Sequence, residues 1–241
     1  MRVLVLSCVL AACVGGARGP IAELPGGPLP LPAETQLVPG EQMVWEVFWR
    51  GVSIGNASLS VDGERVHSKF TTGILARALA DVRYELVTRI SGHVAREASE
   101  LVVLDGDTTR TEMRLDGPRY RLNTRPGDVP GGTALHTLHS ALGALRAWAT
   151  PNVSRGYLWL ALRGKLYRLD ASRPVAETID GIHSLRVECV VRALDPTIDQ
   201  VDVTVWLSTG ADHTPVRIVV ETSGERLAAQ LTETTATFAA R

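Results

Sequence analysis

Two histidines three residues apart, His136 and His139, are the first groups in this 241-residue chain that could hold a metal. On a helix that spacing brings two imidazoles toward one ion, but a site needs a third ligand and the sequence marks none. His139 falls near the edge of a leucine stripe, where a boundary or surface histidine is the simpler reading. Asp105 and Asp107 flank Gly106 without the remaining oxygens of a calcium loop, and read as turn residues. Cys189 lies in the alternating run Leu185, Val187, Cys189, Val191, the position of a small buried hydrophobe, with no neighbouring pattern that would activate a thiol. P-loop, Gly-x-Gly-x-x-Gly after a strand, His-Glu-x-x-His, Gly-x-Ser-x-Gly and Cys-x-x-Cys signatures are absent. The residues therefore mark no catalytic site, no metal site and no cofactor, and a non-enzymatic protein is expected.

The N-terminus carries a different kind of chemistry. Arg2 precedes the apolar run Val3 to Ala12, too short to span a bilayer as a helix but suited to the core of a secretory signal. The run ends in Leu10-Ala11-Ala12-Cys13, which resembles the lipobox of bacterial lipoproteins. That resemblance implies cleavage before Cys13 and lipid on its sulfur and new α-amino group, a palmitate-type anchor; the alternative is an ordinary signal peptide that leaves Cys13 free. Cys8 would leave a very short signal and lacks the small-residue approach. Once Cys8 departs and Cys13 is acylated, Cys189 alone remains, so no internal disulfide is expected. Val14, not the aspartate associated with inner-membrane retention, follows the cysteine. The expected address is the bacterial outer membrane, with the domain facing the periplasm. Residues 1–12 are then a signal peptide, 13–39 the lipidated cysteine and a Pro/Gly-rich tether, and 40–241 one β-rich domain.

Composition agrees with an exported globular domain. The chain is 45% hydrophobic and 21% charged, with a formal net charge of −1, which leaves no basic field for nucleic acid.

From Gly40 onward the dominant period is two. Ala57, Leu59 and Val61 alternate with polar residues, while Met43, Trp45, Val47 and Trp49 share a strand with Val44 and Phe48 and suggest protein on both faces. Gly51 and Gly55 mark a bulge or bend. A loop at Asp62-Gly63 would pair Leu59 with Val66; a turn at Asp116-Gly117-Pro118 sets Leu115 and Met113 against Tyr120 and Leu122; a turn at Arg163-Gly164 sets Leu158 and Leu160 opposite Leu169 and Tyr167. Further strands are expected at 82–90, 99–104, 185–193, 201–207, 215–221 and 227–231, with antiparallel connections. Two segments depart from this period. Ile74, Leu75, Ala78 and Leu79 form a short helical pattern, and Leu135, Leu138, Leu142, Leu145 and Trp148 form the stripe of an amphipathic helix from 134 to 149, with Thr133 as N-cap and Pro151 beyond its end. The fold class is thus mainly β: a curved antiparallel sheet or half-open barrel with one amphipathic helix packed on its concave face.

Pro39-Gly40-Glu41, the tryptophan-rich strand, Gly51 to Gly55, Ser140-Ala141-Leu142 with Leu145-Arg146, Gly164-Lys165, and Val205-Trp206-Leu207-Ser208 followed by Pro215-Val216 resemble, in that order, the bacterial envelope family known as domain of unknown function 3108. Gly143 departs from the bulkier residue expected in the helix. The resemblance implies an exported, often lipid-anchored β-rich domain with no established activity. The expected function is binding of a lipid, or of another hydrophobic ligand or segment, by the curved sheet; the alternative is an assembly module that binds an envelope protein and has no ligand cavity. Trp45, Trp49, Trp159 and Trp206 are read as core aromatics in strands rather than a ligand platform.

Overall fold

The structure is a computed structural model that describes residues 26–30, 37–78, 80–92, 94–150, 152–195, 197–198 and 200–234. Cys13, the signal segment and Leu79 lie outside the described residues. The strands are β1 (Gly27–Pro28), β2 (Gln42–Trp49), β3 (Val52–Asp62), β4 (Arg65–Thr72), β5 (Val82–Ser91), β6 (Val94–Leu104), β7 (Asp107–Asp116), β8 (Arg119–Leu122), β9 (Arg125–Asp128) and β10 (Leu135–His136). After helix α1 (Leu138–Trp148) come β11 (Gly156–Leu162), β12 (Lys165–Ala171), β13 (Val175–Ile179), β14 (Ile182–Ala193), β15 (Val201–Ser208), β16 (Pro215–Thr222) and β17 (Glu225–Thr234).

All of these strands join one sheet, in the order β1-β10-β11-β12-β13-β14-β15-β16-β17-β2-β3-β4-β5-β6-β7-β8-β9. From β2 to β9 and from β10 to β17 neighbours in sequence are neighbours in space; β17 pairs antiparallel with β2 and so joins the two runs, while β1 sits beside β10 and β11. Turn chemistry fixes most hairpins. Leu115 faces Tyr120 and Met113 faces Leu122, while Leu158 faces Leu169 and Leu160 faces Tyr167, both as the turn glycines require. The β3–β4 hairpin departs from expectation: Asp62 pairs with Arg65, so Gly63-Glu64 forms the loop and Leu59 faces Ser68, not Val66. The shift is two residues, which leaves every side chain on its original face. The bulge also appears, with a register break where Val47 faces Gly55 and Phe48 faces Ser53. A Cβ at Gly55 would overlap the Thr71 carbonyl oxygen.

The curved sheet is not closed into a true barrel, because its two ends overlap. Strand β11 sends Leu158 and Leu160 into one apolar cluster with Ala141, Ala144, Leu145 and Trp148 of α1. Its alternate residues Trp159 and Ala161 enter another with Leu86, Val102, Met113 and Leu115 of β5 to β7. Strand β11 is therefore covered on both faces, by the helix on one side and by the far end of the sheet on the other. The overlap is pinned where Leu135 N–H donates to the Gly117 carbonyl at 3.2 Å and Arg163 N–H to Glu100 Oε2 at 2.6 Å. Strands β1 and β10 add parallel pairs to β11, an exception to the antiparallel rule.

Helix α1 packs on the concave face, with Leu145 and Trp148 of the expected stripe buried and Leu142 partly so, but the buried surface extends beyond that stripe. It starts at Leu138, with Thr137 as N-cap: Ser140 N–H donates to the Thr137 hydroxyl and Thr137 N–H to the Ser140 hydroxyl. Leu135 and His136 are drawn into the pairing with β11, which delays the helix beyond Thr133. Leu138 is 37% exposed, whereas His139, Ser140, Gly143 and Arg146 are buried. Such a helix, buried nearly all round, fills the concave side instead of lying on it. The segment expected as tether also packs: Leu29 N–H donates to the Tyr157 carbonyl at 2.7 Å, and Leu29 and Leu37 are buried.

Candidate binding surfaces

The strongest polar interaction lies inside. Arg146 Nη1 and Nη2 reach Glu41 Oε2 and Oε1 at 2.9 and 2.8 Å, with side chains 0% and 1% exposed. Arg146 Nε donates to the Asp212 carbonyl at 2.8 Å, and the Arg146 carbonyl meets His213 Nδ1 at 2.6 Å. The last turn of the helix is thereby tied to the entry of β2 and to the β15–β16 loop. Glu41 and Arg146 both belong to motifs singled out in the sequence, yet nothing in their 105-residue separation announces that they meet. A bidentate pair of this kind fixes geometry, because each charge is tolerated only in the presence of the other.

A second buried polar group surrounds the helix start. His139 Nδ1 lies 2.9 Å from Thr88 Oγ1, which in turn lies 3.3 Å from Thr137 Oγ1. If the Thr88 hydroxyl donates to Thr137, the imidazole carries its proton on Nδ1 and leaves Nε2, which has no partner, as an acceptor. Burial, and then the charge of His67, lowers the His139 pKa to about 3. A hydroxyl beside an imidazole is the start of a nucleophile–base pair, but Thr88 is 0% exposed and His139 2%, so no substrate can approach. His139 is therefore a core residue, against the boundary position expected, and His136 sits in β10 and not on the helix. Among the described residues no three His, Cys, Asp or Glu side chains form a metal-holding group.

Where the sheet overlaps, Tyr84 Oη and Glu100 Oε1 are buried without hydrogen-bond partners. The two side chains meet there and are coupled electrostatically. Burial and then the Glu100 charge raise the Tyr84 pKa, while burial raises that of Glu100 against the opposing Arg163 N–H bond. The Cys189 thiol is buried and pushed up to about 12 by desolvation, the condition of an inert core thiol.

Among the described residues two features are candidates for binding. The first is the part of the concave face that α1 does not reach: Val47, Ile54, Val82 and Leu227, with Trp49, Ala57, Phe70 and Leu104 only partly buried, form a cluster that contains no residue of the helix. The 3-10 turn Ala76–Ala78 contributes Ala76 to it. Beside that turn Ile74 and Leu75 are 85% and 89% exposed, contrary to the packed helical pattern expected of them. The second is a groove on the outer face, lined in part by Phe48, Arg50, Asp180 and Arg217. The tryptophans divide accordingly: Trp45, Trp148 and Trp159 are core, whereas Trp206 faces outward beneath Arg217. Among the described residues no helix is long and apolar enough to cross a membrane.

This geometry defines a β-barrel-like class, an overlapping meander around one helix. The chain is similar in fold to a β-barrel-like protein of domain of unknown function 1849 from Brucella abortus, with a TM-score of 0.58 and 8% identity over 83% of this chain and 98% of that one. A putative lipoprotein of Parabacteroides distasonis (TM-score 0.36, 9% identity, 85% and 100% covered) and the Mycobacterium tuberculosis lipoprotein LppX (0.27, 15%, 82% and 87%) match too distantly to carry an argument. No family model and no curated protein matches the chain, so the resemblance to domain of unknown function 3108 gains no support at the level of that family.

Proposed function

We propose that this is a non-enzymatic bacterial envelope protein, anchored through lipid on Cys13 to the outer membrane and facing the periplasm, whose curved sheet binds a lipid or another hydrophobic ligand or segment. One observation carries the ligand reading. The apolar cluster of Val47 and Val82, with Phe70 partly buried at its side, contains no residue of the helix that fills the rest of the concave side, and the turn beside it presents Ile74 and Leu75 to solvent. Each fully exposed aliphatic side chain forgoes about 1.5–3 kcal/mol of burial, which an acyl chain or apolar partner would restore. The signal and tether expected from the sequence belong to this reading, with the tether shorter than expected because β1 and Leu29 pack on the domain; the stretch from Cys13 to Gly27 reaches at most about 50 Å when extended. Mass spectrometry of material extracted from the protein purified as Cys13→Ala tests it. Stoichiometric lipid is expected, and its loss on Phe70→Asp would locate it; a protein free of lipid that does not take up a fluorescent fatty acid would overturn the reading.

The buried helix favours a second reading, an assembly module that docks an envelope protein and has no ligand cavity, because Arg146 and Glu41 lock much of the concave side shut. Crosslinking in native membranes separates the two: a single dominant protein partner at residues 74 and 75, with no lipid, supports assembly.

A further inference from the structure

The outer groove has a volume of about 620 Å3, and its lining includes Phe48, Arg50, Asp180, Arg217, Arg226 and Ala228. Strand register explains its cross-section. Phe48 and Ala228 lie opposite one another across β2 and β17 and make a short apolar row, which the buried Val219 of β16 continues beyond the lining. Two residues along, and so about 7 Å away, Gln230 faces Arg217; on the other side Arg226 faces Glu221. The tip of the β13–β14 hairpin folds over the first of these polar rows, where Asp180 Oδ2 accepts from Gln230 Nε2 at 3.0 Å. The result is an apolar floor one row wide between polar walls.

The three arginines are not equivalent. Arg50 is held by Glu225 at 2.9 Å and Arg226 by Glu221 at 3.4 Å, whereas Arg217 has Asp180 at 3.9 Å. Arg217 Nε is buried without a hydrogen-bond partner, and its guanidinium lies 5.7 Å from the centre of the Trp206 ring. That ring is itself fixed by a hydrogen bond from Nε1 to Glu177. A buried N–H without an acceptor is costly, and a guanidinium fork suits a carboxylate or phosphate. We propose that this groove binds an amphiphile with an anionic head and a single alkyl chain, the carboxylate or phosphate on Arg217 and the chain along Ala228 and Phe48. The volume lies within the roughly 300–1,000 Å3 usual for small-molecule sites. The inference rests on the reading of the protein as a binder of lipid-like molecules, and adds to it a second site on the opposite face of the sheet.

Decyl phosphate, decanoate and inorganic phosphate, each titrated below its aggregation concentration into the Cys13→Ala protein and followed by NMR, test the inference. The Trp206 indole and Gln230 side-chain signals report the groove, and the Ala57 and Phe70 amides report the concave face. Decyl phosphate and decanoate are expected to shift the groove signals, with affinity falling about tenfold or more in Arg217→Gln and rising in Asp180→Asn, which removes the competing carboxylate. Inorganic phosphate binding as tightly as decyl phosphate would overturn the amphiphile and leave a free-phosphate site. Equal affinity in wild type and Arg217→Gln, or no shift at Trp206 and Gln230, would overturn the groove. Shifts confined to Ala57 and Phe70 would do the same while leaving the concave-face reading intact.

Discussion

Arg146 is the residue on which the helix position turns. Removing it leaves the Glu41 carboxylate buried without its partner, so Arg146→Ala is expected to cost about 3–5 kcal/mol, read as a lower urea midpoint. Replacing both members with apolar residues should cost much less, because the penalty lies in the orphaned charge. His139 makes a pH-dependent contribution. Its folded pKa, about 3, is below the usual histidine value of 6.5, so the unfolded chain binds the extra proton first. The associated stability is fully present above pH 6.5 and is lost as pH falls toward 3. Between pH 6.5 and 5 the native protein should lose about 2 kcal/mol from this group, and His139→Gln should flatten that part of the profile. An unchanged slope in the variant would show that the imidazole is not buried in its neutral form.

At the scale of elements, the bulge between β2 and β3 decides how sharply the sheet bends. Gly55 lies there because any Cβ would strike the Thr71 carbonyl of the neighbouring strand. Backbone cannot swing aside as a flexible side chain can, so Gly55→Ala is expected to destabilise by about 1–3 kcal/mol in chemical denaturation. Gly63, in an open turn with nothing near its missing side chain, serves as the comparison: its positive φ of 55° makes alanine unfavourable through the backbone alone, with a smaller loss of about 1 kcal/mol.

For the molecule as a whole, the proposed anchor and the rolled domain are expected to be separable. The expected lipid at Cys13 would give stable membrane residence only with more than one acyl chain. Cys13→Ala should therefore move the protein from the membrane to the soluble envelope fraction, with loss of the acyl mass, while the domain's thermal unfolding stays the same. A variant that still sediments with membranes would assign retention to the domain surface instead, where Ile74 and Leu75 are the first residues to change.

The sequence by itself determined the local parts of this protein. Alternation of period two, Asp-Gly and Gly-Pro turns and one leucine-bearing segment yield the strands, most hairpin registers and the helix, because each depends on residues a few positions apart. It also singled out Glu41, Arg146, Gly55 and Cys189, without saying what they touch. Tertiary structure alone decided the rest. The overlap that buries β11 on both faces brings Trp159 against Met113, and the ion pair joins residues on opposite sides of the helix–sheet junction. The groove gathers Phe48, Arg217 and Ala228 from three separate strands and Asp180 from a turn. Ile74 and Leu75 share a helical period with a core segment yet face solvent, since hydrophobic spacing records which residues can share a face and not whether another element arrives to cover it.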